Sequence, residues 1–393
     1  MVYIKRKIER SISDALARDK SVLLFGARQT GKTTLIDKIP ADAKLSFIQP
    51  AVRQLYEKNP SLLTGRIEAL KSDKNALPLV IIDEVQKVPE ILDVVQDLID
   101  RKIAKFILTG SSARKLKTQH KLNLLPGRVI VLNLDPLTID ELPETKKKLE
   151  DLLLFGALPG IINLTNNENR EIDLRSYVTT YLEEEIRAEA TVRNVASFSK
   201  FLTLAAAESG NLVNFSKLSQ EIGVAHTTIS AYYQILEDCL VAEKIEPFTQ
   251  TKFRRRLIKT PKYLFFDLGI RRLAAEEGTR PPLKNLGMLF EQFIGLELVR
   301  RTKLTYDKSK IYFWHDANGP EVDWVIAQND QLIPIEVKWT DSPTINDAKH
   351  LKSFCSEYEN TSNSYVICRV PHKIKLSEKI FALPWQDIGE LIV

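Results

Sequence analysis

The sequence predicts an α/β fold in three segments, because the hydrophobic periodicity changes twice along the chain. Up to residue 143, short apolar runs alternate with helical patterns, as in a parallel sheet covered on both faces. Residues 144–278 have mostly helical periodicity, and residues 279–393 return to mixed helix and strand. The run Thr279-Arg280-Pro281-Pro282 is typical of a linker. A chain of 393 residues also exceeds one ordinary core, so we predict domains at 1–143, 144–278 and 279–393.

The composition is that of a globular protein, with 44% hydrophobic and 27% charged residues. No apolar run approaches the roughly 18 residues that a membrane helix needs, and the charged N-terminus lacks the apolar core of a secretion signal. Cys239, Cys355 and Cys368 are too far apart in sequence to indicate a zinc site or a disulfide framework. We therefore expect a cytoplasmic protein without a membrane partner. The net charge of +5 is weak evidence for a polyanionic one.

Five short apolar runs in the first segment are predicted to form the parallel sheet. Because these runs are almost continuously apolar, both faces of each strand are expected to be buried. A helical pattern at 88–101 separates two of them, as a βαβ crossover requires. The predicted strands are 21–25, 45–48, 79–82, 105–108 and 129–134.

The first predicted strand is followed by a glycine-rich turn that fits the phosphate-binding pattern G-x-x-x-x-G-K-[ST] in full. Glycines let backbone N–H groups turn inward around phosphates, and the next helix presents its N-terminal donors to the same anion. Lys32 is expected to reach the β- and γ-phosphates, and the Thr33 hydroxyl to bind Mg²⁺, so we predict ATP and Mg²⁺ as cofactors. The predicted nucleotide-binding residues here are Gly26, Ala27, Arg28, Gln29, Thr30, Gly31, Lys32, Thr33 and Thr34.

An acidic pair ends the predicted strand at 79–82. Asp83 at the strand tip is placed to hold Mg²⁺ through water. Glu84 next to it is placed to orient and deprotonate the attacking water, which is the role of a catalytic base. The alternative interpretation is that the two carboxylates only cap the following helix.

A third strand, at 105–108, leads into a polar turn that would lie beside the γ-phosphate. Thr109 is the predicted contact, although spacing alone does not show which of Thr109, Ser111 and Ser112 points inward. Arg114 and Arg128 follow, and either could contact the nucleotide of a neighbouring subunit in a homo-oligomer as an arginine finger. A solvated basic face is the alternative interpretation for both arginines.

The runs FGARQTGKTTL, IIDEVQKVPEIL and LTGSSARKL…LPGRV resemble the AAA+ ATPases that are widespread in bacteria and archaea. The resemblance covers essentially the whole chain. It implies a P-loop NTPase parallel sheet, a helical and winged-helix middle domain, and a C-terminal α/β restriction-endonuclease-like domain. It also implies Lys32 and Thr33 for nucleotide and metal, Asp83 for metal, Glu84 as catalytic base, and the turn at 109–112 as a sensor.

The middle segment contains a helix-turn-helix pattern at 215–240. His226-Thr227-Thr228 opens the second helix, and small polar residues there suit contacts with DNA bases or phosphates. The stretch that follows is a candidate wing, and its basic residues favour phosphate contacts. The alternatives are a packing module or a protein-binding lid. Asp267 is predicted to be a helix N-cap, with a role near the nucleotide as the alternative. The basic residues of the candidate wing are Lys252, Arg254, Arg255, Arg256, Lys259 and Lys262.

The third segment resembles the PD-(D/E)xK nuclease signature at Asp323 and at Glu336-Val337-Lys338. Alternation along a strand puts Glu336 and Lys338 on one face. Asp323 and Glu336 are then expected to share Mg²⁺, while Lys338 activates a metal-bound water or stabilises the charged phosphate. Glu291 matches the family's helical glutamate, which is an extra metal ligand. The alternative is an inactive nuclease fold in which Glu336 and Lys338 form only an ion pair.

Two functional hypotheses follow from these motifs. The first is a DNA-associated ATPase that carries a Mg²⁺-dependent nuclease domain with Asp323, Glu336 and Lys338 as catalytic residues. The second is a nucleotide-switched module that binds DNA or protein through a catalytically inactive nuclease fold. The composition does not discriminate between them, but the intact set of Asp323, Glu336 and Lys338 favours the first hypothesis.

Overall fold

The computed structural model of this chain describes residues 2–72, 76–112, 125, 127–182, 194–250, 257–305, 309–317 and 319–392. The α-helices are α1 Ile8–Ala17, α2 Lys32–Asp37, α3 Pro50–Lys58, α4 Leu62–Ser72, α5 Ile91–Asp100, α6 Leu149–Phe155, α7 Pro159–Asn163, α8 Asn167–Ser176, α9 Val195–Ala207, α10 Phe215–Ile222, α11 His226–Asp238, α12 Leu268–Ala274, α13 Leu283–Leu304 and α14 Lys349–Glu357. The β-strands are β1 Ser21–Phe25, β2 Ala43–Ser46, β3 Leu79–Asp83, β4 Lys105–Gly110, β5 Val129–Asn133, β6 Ala242–Pro247, β7 Lys262–Phe265, β8 Lys310–His315, β9 Glu321–Gln328, β10 Gln331–Val337, β11 Ser364–Cys368, β12 Ile374–Lys375 and β13 Ile380–Pro384. Along these described ranges, no helix is long and apolar enough to cross a membrane.

The N-terminal sheet is parallel, and its strand order is β2-β3-β4-β1-β5. Every residue of β1 and β3 is buried, as the apolar runs predict for strands covered on both faces. The five predicted strands are therefore confirmed, with end shifts of one or two residues. Because the strands are parallel, the carboxyl ends of β3, β4 and β1 lie side by side at one edge of the sheet.

The middle segment is helical, and α10, a turn at Gly223 and α11 form the predicted helix-turn-helix arrangement. The helical segment that starts with α8 changes its geometry: α8 ends at Ser176, and Tyr177–Leu182 forms a π-helix. Such irregular turns are frequent at functional sites. Here the Tyr177 hydroxyl lies 3.4 Å from the Arg28 carbonyl oxygen, so the irregular turn adjoins the phosphate-binding loop.

A mixed sheet of eight strands forms the C-terminal α/β domain, in the order β12-β13-β11-β10-β9-β8-β6-β7. Its last two strands come from the middle segment, and β6 pairs in parallel with β8 through Glu246 and Pro247. The sheet therefore crosses the predicted boundary at residue 278. Pairing β6 with β8 satisfies backbone groups that an open edge strand would expose, which explains why the hairpin is not a free wing.

Helix α13 connects the C-terminal domain to the N-terminal one through buried polar contacts. The Ile139 N–H donates to Glu297 Oε2 at 3.1 Å, and Arg300 donates to the Leu137 carbonyl at 3.1 Å. Arg301 forms an ion pair with Asp140 at 2.6 Å. The helix is thereby fixed to residues 135–141, which follow β5 and lie beside the first sheet.

A glycine allows the same helix to lie directly on the second sheet. A Cβ atom added at Gly295 would lie 2.3 Å from the Trp324 indole, which is closer than real Cβ atoms approach other atoms. Trp324 is fully buried in the core that α13 shares with β8, β9 and β10. The close approach of helix and sheet therefore depends on the absence of a side chain at this position.

We predict that Gly295→Ala lowers the midpoint of urea unfolding by the equivalent of about 1–3 kcal/mol, because the added methyl group overpacks the core. Gly287→Ala is the matched control in the same helix, since nothing lies within 4 Å of a Cβ atom there. The control should be neutral or stabilising by up to about 1 kcal/mol, as expected for alanine in a helix interior. Equal destabilisation by both substitutions would contradict the proposed close approach.

Candidate functional site

The residues between β1 and α2 form a loop whose backbone is turned toward one side. Gln29 and Gly31 have left-handed conformations, with φ angles of 61° and 97°. Alternating backbone conformations of this kind direct successive N–H groups into a concavity that binds anions. Gly26 N–H donates to the Gly110 carbonyl at 3.2 Å, and the buried Thr30 hydroxyl donates to the Ala27 carbonyl at 2.9 Å. The loop is thus held in shape by its own contacts and by β4.

Lys32 and Thr33 point their polar atoms toward the ends of the adjacent strands. The buried Lys32 ammonium donates to the carbonyls of Gly26 at 2.6 Å and Ala27 at 3.0 Å, so it lies over the loop. The Thr33 hydroxyl lies 3.4 Å from Asp83 Oδ2. A hydroxyl and a carboxylate that meet at the start of this helix fit the oxygen ligands that Mg²⁺ prefers. Thr34, the next residue of α2, has an exposed side chain.

Asp83 is buried at the tip of β3, and Thr109 connects it to β4. The Thr109 hydroxyl donates to Asp83 Oδ1 and accepts from the Glu84 N–H at 3.1 Å. Burial raises the pKa of Asp83 above its usual range, and the hydrogen bond from Thr109 opposes this shift. Thr109 therefore points toward the acidic pair, which resolves one of the orientations that spacing left open.

Glu84 is held by side chains that the strand pattern did not identify. Its backbone is left-handed, with a φ angle of 60°. Its carboxylate accepts from the Ser111 hydroxyl at 3.0 Å and from the Gln86 amide, which also contacts Ser111 at 2.9 Å. No side-chain cap forms at Glu84, so the helix-capping interpretation is not observed. Ser112 points elsewhere, with its hydroxyl 3.5 Å from the Asp238 carbonyl.

Arg128 does not lie beside the phosphate-binding loop of its own chain. It precedes β5, and Ser21 at the start of β1 aligns with Val129, so Arg128 is at the amino edge of the sheet. The loop follows the opposite, carboxyl edge. Arg128 forms a bidentate ion pair with Asp100 at 2.7 and 3.0 Å. Arg128 therefore does not contact the phosphate-binding loop of its own chain, and its role as an arginine finger for a neighbouring subunit stays a prediction. Arg114 lies outside the described residues.

Arg6, which precedes α1, supports the phosphate-binding loop through contacts that the sequence pattern did not indicate. Its buried guanidinium donates to the Thr30 carbonyl at 2.8 Å and the Asp135 carbonyl at 2.7 Å, and pairs with Glu141 at 3.1 Å. The charged N-terminal sequence is typical of a solvated helix. Only the tertiary structure shows that Arg6, unlike its charged neighbours, is buried. Arg6 positions the backbone of the loop from outside.

The C-terminal signature residues meet at one end of β9 and β10. Asp323 Oδ2 accepts from the Val337 N–H at 2.7 Å, and Lys338 pairs with Glu336 at 2.8 Å. Glu336 Oε1 is buried without a hydrogen-bond partner in the described part of the chain. Glu291, on α13, pairs with Lys262 at 3.2 Å. We call Glu291, Asp323, Glu336, Lys338 and Lys262 the carboxylate cluster.

Burial and mutual repulsion change the protonation of this cluster. Burial raises the pKa of Glu291 and of Asp323 to about 7, and neighbouring carboxylates add to both shifts. Burial alone would lower the pKa of Lys262, but Glu291 and Asp323 raise it. Glu291, Asp323 and Lys262 therefore interact electrostatically with one another.

Glu291, one of the three carboxylates predicted to bind a metal ion in the C-terminal domain, faces the ammonium group of Lys262. Among the residues that the structure describes, no group of three or more His, Cys, Asp and Glu side chains is arranged to hold a metal ion. That Asp323 and Glu336 share Mg²⁺, with Glu291 as an extra ligand, stays a prediction. Lys262 itself is buried, so it is not part of a solvated basic wing.

The middle segment confirms one prediction and leaves another partly described. Asp267 is the N-cap of α12, accepting from Gly269 N–H at 3.0 Å and Ile270 N–H at 3.2 Å, and it also accepts from Ala157 N–H at 2.7 Å. His226 and Thr227 are exposed at the start of α11. The predicted basic residues at 252 and 254–256 lie outside the described ranges.

Three protein-family models match separate stretches of the chain. Residues 18–143 match a model described as an AAA domain, which supports an AAA-type ATPase fold for the first segment. Residues 146–280 and 286–388 match two models described as domains of unknown function, DUF8612 and DUF4143.

Proteins similar to this chain occur in Mycobacterium tuberculosis and Methanocaldococcus jannaschii. A protein of Mycobacterium tuberculosis described as uncharacterized is 25% identical over 398 residues, covering 99% of this chain and 85% of its own length. A protein of Methanocaldococcus jannaschii, also described as uncharacterized, is 26% identical over 314 residues, covering 66% of this chain and 63% of its own length.

Among solved structures, Cdc6p from Pyrobaculum aerophilum is similar over 71% of this chain and 97% of that chain, with 13% identity and a TM-score of 0.28. The Bacillus subtilis DNA clamp loader delta protein matches 58% of this chain and 87% of that chain, with 10% identity and a TM-score of 0.26. Both scores are low, so the fold description rests on the strand order and the loop geometry given above.

We predict that Arg6→Lys raises the KM for ATP by roughly tenfold with little change in thermal stability. Lysine keeps the charge opposite Glu141 but loses the planar fork that contacts the Thr30 and Asp135 carbonyls. Arg10→Lys is the matched control, because the Arg10 side chain is 90% exposed on α1, which begins two residues after Arg6. A KM that matches the wild-type value in Arg6→Lys would show that Arg6 has no positioning role.

Proposed function

We propose that this chain binds ATP together with Mg²⁺ at the loop between β1 and α2 and hydrolyses the β–γ phosphate bond. The observation that carries this proposal is the convergence of Lys32, Thr33, Asp83 and Glu84 at the carboxyl edge of the parallel sheet. The match of this segment to an AAA domain supports the same chemistry.

Each of these side chains has a distinct role in the proposed reaction. Backbone N–H groups and Lys32 bind the β- and γ-phosphates, while Thr33 and Asp83 hold the metal ion. The bound Mg²⁺ would neutralise charge that develops on the phosphate oxygens. Glu84 accepts a proton from the attacking water, and Ser111 and Gln86 orient its carboxylate. Thr109 keeps the two acidic residues in register.

We predict that Glu84→Gln binds ATP with near wild-type affinity but lowers the rate of hydrolysis by about 100-fold or more, because it loses only the base. Lys32→Ala should lose ATP binding. Glu90→Gln is the matched control, since Glu90 is exposed a few residues along the same block. Phosphate release and ATP binding, measured with and without Mg²⁺, separate the two steps. Full hydrolysis by Glu84→Gln would exclude Glu84 as the base.

We further propose that the exposed face of α11 contacts DNA. His226, Thr227 and Ser230 are exposed on this helix. None of these three side chains has a negative charge that would repel phosphates. Small polar residues at the start of such a helix suit both base and phosphate contacts. The proposal does not extend to cleavage by the C-terminal domain, because Glu291 and Glu336 are each paired with a lysine. It thus adopts the second hypothesis, a nucleotide-switched module with an inactive nuclease-like fold.

We predict that Thr227→Glu weakens binding to a fluorescently labelled DNA duplex by about tenfold, because a carboxylate on α11 repels phosphates. Ser61→Glu, at an exposed position in the first domain, introduces the same charge and should leave affinity unchanged. Anisotropy measured with ATP and with ADP reports nucleotide control. The duplex should remain intact with Mg²⁺. Cleavage that disappears in Asp323→Asn would support the nuclease hypothesis instead.

A further inference from the structure

Lys262 reaches from the middle segment into the carboxylate cluster of the C-terminal domain. It is the first residue of β7, and its ammonium lies 3.2 Å from Glu291 Oε1. The same ammonium lies over the Phe313 ring at 5.1 Å and the Trp324 ring at 5.8 Å, measured to the ring centroids. Two aromatic faces and a carboxylate thus enclose the charged group, which is largely removed from solvent.

This ammonium is in the electrostatic position that a bound cation would take. Buried carboxylates carry a large desolvation cost unless a positive charge lies close to them. Lys338 serves this purpose for Glu336, at 2.8 Å. Lys262 serves it for Glu291 and also interacts electrostatically with Asp323. The cluster therefore has its own cations, and one of them comes from the neighbouring segment of the chain.

We propose that the Lys262 ammonium, and not a divalent metal ion, is the cation that balances Glu291 and Asp323. The hairpin β6–β7 consequently closes the carboxylate cluster as long as Lys262 remains in place. This contact also explains why the hairpin is part of the second sheet, because the ion pair and the β6–β8 pairing hold it to the same domain. The inference concerns a different site from ATP hydrolysis and does not depend on it.

Removing this ammonium should turn the cluster into a divalent-cation site. Without Lys262, the three carboxylates keep Lys338, paired with Glu336, and the His350 imidazole 3.7 Å from Glu336 Oε1, which is positive only when protonated. Carboxylate oxygens in that situation attract a hard divalent ion. Methionine is the appropriate replacement, since its unbranched apolar side chain fills similar space between Phe313 and Trp324.

The experiment is a Mn²⁺ titration of nucleotide-free, full-length protein, followed by the electron paramagnetic resonance signal of free Mn²⁺. Lys262→Met should gain one site that binds Mn²⁺ at least about tenfold tighter than any site in the wild-type protein. Adding Asp323→Asn should abolish the gained site. Lys259→Met, at an exposed lysine just before β7, is the matched control and should behave as wild type.

Two results would overturn the proposal. One is a wild-type protein that already binds Mn²⁺ tightly at a site lost in Asp323→Asn, because the cluster would then be a metal site despite Lys262. The other is a folded Lys262→Met variant with unchanged Mn²⁺ affinity. Neither result affects ATP hydrolysis, so failure of this inference is distinguishable from failure of the proposed ATPase.

A second measurement applies if Lys262→Met does not fold well enough for titration. The melting temperature of the double variant Lys262→Met/Glu291→Gln should exceed that of Lys262→Met, because it no longer contains an unpaired, half-buried carboxylate. Additive decreases in melting temperature from the two substitutions would show that Lys262 does not balance Glu291, and would also overturn the proposal.

Discussion

The parallel register of β1, β3 and β4 is the constraint on which the nucleotide site depends. Parallel strands end at the same edge, so residues that are far apart in sequence follow these strands into one small region. Here β4 lies between β3 and β1, which puts Thr109 between the acidic pair and the phosphate-binding loop. The hydrogen bonds from Thr109 to Asp83 and from Glu84 to Thr109 are direct consequences of that order. Neither contact needs a specialised loop.

The nucleotide site was largely predictable from sequence because its residues are local to strand ends. The pattern from Gly26 to Thr33 and the acidic pair at 83–84 each follow a continuous apolar run, and the run itself fixes where the strand stops. Gln86 and Ser111 were harder to predict from the sequence, because their role depends on a contact between the ends of two different strands. The position of Arg128 was not predictable in this way. Its closeness in sequence to the sensor turn does not indicate which edge of the sheet it occupies, and it lies at the amino edge.

The carboxylate cluster was predictable in composition but not in state. Alternation along β10 correctly puts Glu336 beside Lys338, and the helix pattern correctly puts Glu291 on α13. Spacing could not show that a lysine from another segment enters the cluster, because Lys262 belongs to a run of basic residues that looks like solvated surface. A short motif specifies which side chains are available. The tertiary packing of the hairpin specifies which cation they receive.

Helix α13 links the two sites through a continuous series of buried contacts. Arg6 bonds to the Thr30 carbonyl of the phosphate-binding loop and to Asp135 and Glu141 of the segment after β5. Arg300 and Arg301 bind that same segment from α13. Glu291 lies on α13 about 13 Å from Arg300, at the helical rise of roughly 1.5 Å per residue. A shift of residues 135–141 that keeps these bonds must move α13 as well. Glu291 would then move relative to Lys262, or the hairpin β6–β7 would move together with Glu291. Physical continuity of this kind is what a nucleotide-dependent change at the loop would require in order to reach the second domain.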